Sequence, residues 1–82
     1  MSFVKIGDTY FNPRRIDYIE PLAIGGCPYE PYVRVCVGGK QLAFNAHDFD
    51  IDLSELETKA EALGVADAMV AKVVSMVNEA LK

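Results

Sequence analysis

The chain has 82 residues, of which 51% are hydrophobic and 24% are charged, and its formal net charge is −4. A chain of this length can form one hydrophobic core and not two, so we predict a single domain over residues 1–82. The apolar share excludes a disordered chain. The acidic balance argues against nucleic acid as the main partner, because the chain would repel phosphate backbones unless its positive charges were clustered.

The cysteine content is typical of a protein from a reducing compartment. Cys27 and Cys36 form no disulfide framework and no signal peptide is visible, so we predict a cytoplasmic protein. No apolar run reaches the roughly 20 residues that span a bilayer, and no membrane segment is expected. Cys36 is predicted to be buried, whereas Cys27 is either a turn spacer or a reactive thiol.

The first residues predict a β-hairpin. Residues 3–6 and 9–11 are β-prone, and Gly7-Asp8 between them has the composition of a two-residue turn. The pairing should end at Asn12-Pro13, because proline has no amide hydrogen and disfavours helical backbone in the residue before it.

The next segments predict a second set of strands. Residues 16–22 fit either a helical turn or a strand, and we favour the strand. Residues 23–31, rich in glycine and proline, are expected to form a loop or a loose hairpin end. Residues 32–37 are the clearest strand, and Gly38-Gly39 allows a tight turn into residues 41–44.

A helical pattern begins in the second half of the chain. Ser54 followed by Glu57 matches a capping box, in which each side chain bonds the backbone of the other residue. We therefore expect a helix to start near Ser54 and to continue to Gly64, a residue favoured just beyond helix ends.

The position of Asp67 predicts an interruption of this helix. A continuous helix would place Asp67 on its apolar stripe without a partner, so we expect a break near Gly64. A second helix would then run from Val65 or Ala66 to Leu81. The predicted fold class is α+β, an antiparallel sheet of four or five strands followed by one or two C-terminal helices packed on one face.

The acidic segment 47–55 is the best candidate for a metal site, because its alternating carboxylates could converge on a hard cation. It lacks the glycine of an EF-hand loop, and acids before a helix also stabilise the positive helix N-terminus. We therefore predict no metal or cofactor, and keep a small metal- or ligand-binding module as an alternative. Its weak candidate ligands are Asp48, Asp50, Asp52 and Glu55.

No catalytic residue is predicted. His47 is the only histidine, and no serine or cysteine can be placed beside it from the sequence. Cys27, Cys36 and His47 would supply at most three zinc ligands, without a Cys-x-x-Cys spacing. We expect the protein not to be an enzyme.

A weak nucleic-acid binder is a further alternative, which requires the basic residues of the first half to share one face of the sheet. Those residues are Arg14, Arg15, Arg34 and Lys40. A solvated sheet face is the simpler interpretation, given the acidic total.

The function that we favour is protein binding by a regulatory accessory protein. Residues 1–45 contain five Lys or Arg and four Asp or Glu, which gives a net charge of +1. Residues 46–82 contain three Lys or Arg and eight Asp or Glu, which gives a net charge of −5, so the net charges of the two halves have opposite signs. We also expect a homo-oligomer, formed through the Val- and Met-rich helix or a sheet edge. The candidate partner-binding residues are Tyr29, Asp48, Asp50, Val73, Met76 and Val77.

Residues 10–20 combine an Asn-Pro turn with two isoleucines three positions apart, and a Val-rich strand and a Gly-Gly-Lys turn follow. This pattern, over residues 10–44, resembles small β-proteins of the FlbD-like flagellar type and short proteins of phages and mobile elements. The chain departs from it through its Gly-Gly-Cys-Pro segment and its helical half. The resemblance implies a non-catalytic accessory protein, for example an inhibitor encoded by a phage or mobile element, and transfers no functional residue.

Overall fold

The first two strands form a hairpin, as predicted. The structure, a computed structural model, describes residues 2–26, 28–51, 56 and 58–82. Strands β1 (Val4–Ile6) and β2 (Thr9–Phe11) pair antiparallel around a turn in which Gly7 has φ 58°. Because side chains alternate between the two faces of a strand, Val4 and Ile6 of β1 and Phe11 of β2 point into the core.

A short 3₁₀ turn, Pro13–Arg15, redirects the chain after β2. The Asn12 side chain caps the turn, since its Oδ1 accepts the Arg14 N–H at 3.0 Å. Pro13 occupies the first position, where a missing amide hydrogen costs no hydrogen bond. The predicted break at Asn12-Pro13 is confirmed.

The main sheet has three antiparallel strands in the order β3-β4-β5. They are β3 (Ile16–Gly25), β4 (Tyr29–Val37) and β5 (Lys40–Asn45). The strand predicted at residues 16–22 and the hairpin around Gly38-Gly39 are confirmed, and both glycines have positive φ.

Of the two structures expected for residues 23–31, the hairpin end is confirmed, and the loop is wrong for most of the segment. Ala23 pairs with Pro31 and Ile24 with Glu30, so β3 and β4 continue almost to the turn. Pro31 is tolerated in the central strand because the β4–β5 pairing ends at Tyr32, and its missing amide hydrogen therefore interrupts no ladder on that side.

In the second half the structure describes a 3₁₀ turn, Ala46–Phe49, and the helix α1 (Lys59–Ala80). Thr58 caps the helix, because its side chain accepts the Glu61 N–H. The predicted start near Ser54 is wrong, since Leu56 and Thr58 are not helical. The predicted Ser54–Glu57 capping box itself lies outside the described residues.

The predicted break near Gly64 is also wrong, because α1 continues through this position. The residues of α1 that are buried against the sheet are Ala62, Ala66, Met69 and Val73. This stripe does not include position 67, and Asp67 is exposed to solvent. An exposed carboxylate needs no protein partner, so the reason for expecting a break does not apply.

The core lies between α1 and one face of the three-stranded sheet, which we call the inner face. Val33 and Val35 of β4 are fully buried there, and the Phe11 and Phe44 rings, 6.3 Å apart, join the β1–β2 hairpin to it. The α+β class is confirmed: the described residues form five strands, which are divided between two sheets, and one α-helix. In the part of the chain that the structure describes, no helix has both the length and the apolar character to cross a membrane.

A Gly64→Ala variant tests the continuity of α1. Gly64 is exposed, and an added Cβ would have nothing within 4 Å, so alanine should raise the free energy of unfolding by about 0.5–1 kcal/mol. Urea denaturation measures this change. The opposite substitution at an exposed position of the same helix, Ala68→Gly, should lower stability by a similar amount. Destabilisation by Gly64→Ala would contradict a continuous helix at this residue.

Candidate protein-binding surface

Two aromatic side chains stand exposed on the outer side of the β1–β2 hairpin. Phe3 is 60% and Tyr10 is 63% accessible to solvent, the highest values among the exposed large hydrophobic residues. Strand alternation places them there, since their neighbours Val4 and Phe11 point into the core. The Lys5 ammonium lies 5.6 Å from the centroid of the Tyr10 ring, so this aromatic surface also carries positive charge.

A groove with a volume of about 290 Å³ lies beside these rings, and we call it the Phe3–Tyr10 groove. Buried Phe11 and half-buried Val37 and Leu42 contribute apolar surface to it. The described residues that line the groove are Phe3, Thr9, Tyr10, Phe11, Asn12, Arg15, Val37, Lys40 and Leu42.

The charged residues that line the groove, among those that the structure describes, are both cations. Arg15 and Lys40 are exposed, and no described aspartate or glutamate lines the groove. Neither cation forms an ion pair with any residue that the structure describes. In a chain with a net charge of −4, this groove is therefore a local positive site with an apolar interior.

A second depression, of about 420 Å³, adjoins the groove, and Phe3 lines both. Its other walls come from the start of β1 and the last turns of α1, including Met76 and Glu79. The backbone hydrogen bond from Ser2 N to Ala80 O, at 3.1 Å, holds these two segments together. Of the predicted partner-binding residues, Met76 is the one that lines a depression in this region.

The face of the three-stranded sheet opposite α1, which we call the outer face, combines apolar and polar side chains. Ile24 is 51% and Tyr18 is 40% exposed on this face. Arg34 bonds Glu20 at 2.9 Å across the β3–β4 pair, and the Tyr18 hydroxyl accepts a hydrogen bond from Gln41 at 2.9 Å. Such paired polar groups are typical of a solvated sheet face.

One hydrogen bond on the outer face changes a pKa. The Tyr32 hydroxyl donates to Glu30 Oε2 at 2.9 Å, and this bond, with smaller contributions from burial and from the Glu30 charge, raises the pKa of the Tyr32 phenol above 10.0. The bond requires the protonated phenol, so it favours the neutral tyrosine and holds the Glu30 carboxylate beside the Tyr32 hydroxyl.

The predicted acidic candidates have local structural roles where the structure describes them. The Asp48 carboxylate accepts the Asn45 N–H at 3.1 Å and completes a capping box on the 3₁₀ turn, and Asp50 ends that turn with φ 56°. Asp52 and Glu55 lie outside the described residues. No group of three or more potential metal ligands occurs among the residues that the structure describes.

The other predicted partner-binding residues lie at different depths. Val73 is fully buried against the sheet, so the prediction that it lies on a binding surface is wrong, because α1 turns this residue inward. Val77 is partly buried and packs against the core. Tyr29 is half-buried, and its backbone N–H donates to Leu56 O at 2.9 Å.

The four basic residues considered for nucleic-acid binding do not share one face. Arg34 points to the outer face, where it bonds Glu20, whereas Arg15 and Lys40 line the groove on the other side of the sheet.

The buried thiol predicted at Cys36 is confirmed, and its Sγ donates to Asp17 Oδ2 at 3.5 Å.

Sequence reasoning did not find the groove. The single sequence signal for it is the alternation that turns Phe3 and Tyr10 outward beside buried neighbours.

No protein-family model, no curated protein sequence and no solved structure matches the chain. The resemblance to FlbD-like and phage proteins therefore stays a prediction.

Two adjacent substitutions in α1 test which helix face is buried. Val73→Glu places a carboxylate in the core without a partner and should cost more than about 4 kcal/mol, enough to unfold a domain of this size. Val74→Glu changes a side chain that is 42% exposed and should cost less than about 1 kcal/mol. Circular dichroism with urea titration measures both, and equal effects would contradict the assignment of faces.

The Tyr32–Glu30 bond predicts an alkaline titration. Glu30→Ala should lower the pKa of Tyr32 towards 10.0, whereas Glu20→Ala, on the same face, should leave it unchanged. Because the folded-state pKa is raised, the bond stabilises the fold at neutral pH, and this stabilisation is lost as the pH rises through that pKa. NMR titration of the tyrosine ring carbons measures the shift, and identical Tyr32 curves in wild type and Glu30→Ala would refute it.

Proposed function

We propose that the protein is a non-enzymatic accessory protein that binds another protein through the Phe3–Tyr10 groove. The observation that carries the proposal is the combination of an apolar groove interior, two exposed aromatic rings and two rim cations, with no acid among the described lining residues. Aromatic residues and arginine are the residue types that concentrate at energetically important positions of interfaces. The partner segment that fits is a bulky apolar side chain with a carboxylate close to it.

The apolar contact would supply most of the affinity. Full burial of an aliphatic side chain contributes about 1.5–3 kcal/mol, whereas an exposed ion pair contributes about 0.2–1 kcal/mol. Contact with Phe11, Val37 and Leu42 would therefore dominate binding, and Arg15 and Lys40 would select acidic segments over basic ones. An inhibitor encoded by a phage or mobile element, acting in the cytoplasm, is one form that such a protein could take.

Selection from a random peptide library displayed on phage tests this function. Peptides retained by the immobilised protein should share an aliphatic or aromatic residue within a few positions of Asp or Glu. Arg15→Glu should weaken a selected peptide by about five- to tenfold, because it replaces attraction with repulsion at the rim. Arg14→Glu is the matched control, since this neighbouring arginine is exposed but does not line the groove.

Two outcomes would contradict the proposal. Retention of selected peptides by Arg15→Glu with unchanged affinity would show that they do not bind at the groove. Tighter binding of a single-stranded oligonucleotide than of any peptide, lost as salt is raised, would favour the nucleic-acid alternative.

A further inference from the structure

We infer that an occupant of the Phe3–Tyr10 groove is the end of the β3–β4 hairpin of a second copy of this chain, so that the protein associates head to tail. The part of the hairpin that carries Ile24 and Glu30 is called the tip. The inference rests on the proposed binding function of the groove and names one segment that fills it. It is drawn from the chemistry of the hairpin tip, from the charges of the two surfaces and from their positions in the fold.

The hairpin tip presents the combination of side chains that the groove fits. Ile24 is 51% exposed near the end of β3, and its register partner in β4 is Glu30. Directly opposite residues of an antiparallel pair lie on the same face with Cβ atoms about 5 Å apart. An exposed aliphatic side chain therefore stands beside a carboxylate.

The carboxylate at the tip is held in place. Tyr32 lies two residues after Glu30 on the same face, and its hydroxyl donates to Glu30 Oε2 at 2.9 Å. A side chain that is already restrained loses less conformational entropy on binding. The tip therefore offers a preorganised pair of an apolar and an anionic group.

The charges of the tip and the groove are complementary. The groove rim carries Arg15 and Lys40 and, in the described part of the chain, no acid, although the chain as a whole is acidic. Insertion of Ile24 into the groove would bring Glu30 towards these two cations. Opposite charges on two surfaces of one chain favour contact between copies.

The two surfaces lie at opposite ends of the main sheet. The groove lies where β3 begins and β4 ends, because Arg15 immediately precedes β3 and Val37 is the last residue of β4. Val37 pairs with Ile16 and with Lys40. The tip lies at the other end of β3 and β4. With a rise of about 3.3 Å per residue, a ten-residue strand separates them by roughly 30 Å. A copy that docks its tip in one groove leaves its own groove accessible to a third copy.

Contact between two different surfaces has a distinct consequence for assembly. Such a heterologous contact produces open chains, or rings if the geometry closes, whereas a contact between identical surfaces stops at a dimer. The contact area of one hairpin tip is small, so association should be weak and should require protein concentrations up to about 1 mM.

Mixing two complementary variants tests the inference. The tip variant is Ile24→Ser, which removes the exposed aliphatic side chain and introduces no charge that could pair with a charge-reversed groove. The groove variant is Arg15→Glu with Lys40→Glu, which reverses both rim charges on exposed side chains. In analytical ultracentrifugation the wild type should increase in mass with concentration, and each variant alone should remain monomeric.

An equimolar mixture of the two variants should form dimers and nothing larger, because it contains one intact tip surface and one intact groove surface. Arg14→Glu and Val74→Glu are the controls and should associate like the wild type. Val74 is 42% exposed on α1 and lies on neither surface, so loss of association in Val74→Glu alone would indicate a helix-mediated dimer and overturn the inference.

A wild type that stays monomeric at about 1 mM, or a mixture that does not form dimers, would also overturn the inference. Neither result would affect peptide binding by the groove, which the library selection measures separately. Circular dichroism and thermal unfolding of each variant confirm that a loss of association does not arise from a loss of fold.

Discussion

The packing of α1 on the inner face of the three-stranded sheet is the interaction on which the rest of the structure depends. Ala62 and Ala66 allow the helix backbone to approach the strands closely, and Met69 and Val73 fill the space against Val33 and its neighbours. The β1–β2 hairpin has too few residues for a stable fold of its own. Its contacts with this core hold it beside the helix, and so they also position the groove.

A single helix covers a single face of a sheet, and this has consequences for the surface. The outer face meets solvent, where the Glu20–Arg34 ion pair and the Tyr18–Gln41 hydrogen bond satisfy its polar groups. Exposed apolar side chains lie in several places on the molecule: Phe3 precedes β1, Ile24 lies near the end of β3, and Val74 lies on α1.

The distribution of charge follows from local structural needs as well as from binding. Asp48 caps a 3₁₀ turn and Thr58 with Glu61 caps α1, so part of the acidic second half stabilises backbone ends. The cations of the groove have no comparable role among the residues that the structure describes. This contrast is the physical reason for proposing recognition at the groove rather than at the acidic segment 47–55.

The sequence by itself determined the local elements of this protein. Gly7-Asp8 and Gly38-Gly39 specify turns through backbone freedom, and alternating side chains specify the strands beside them. Only the tertiary structure decided which helix stripe is buried, because stripes offset by one residue have the same period and the sheet selects between them. It also decided the groove, since Phe3, Arg15 and Lys40 are far apart in sequence and only the packing of the hairpin on the core brings them together.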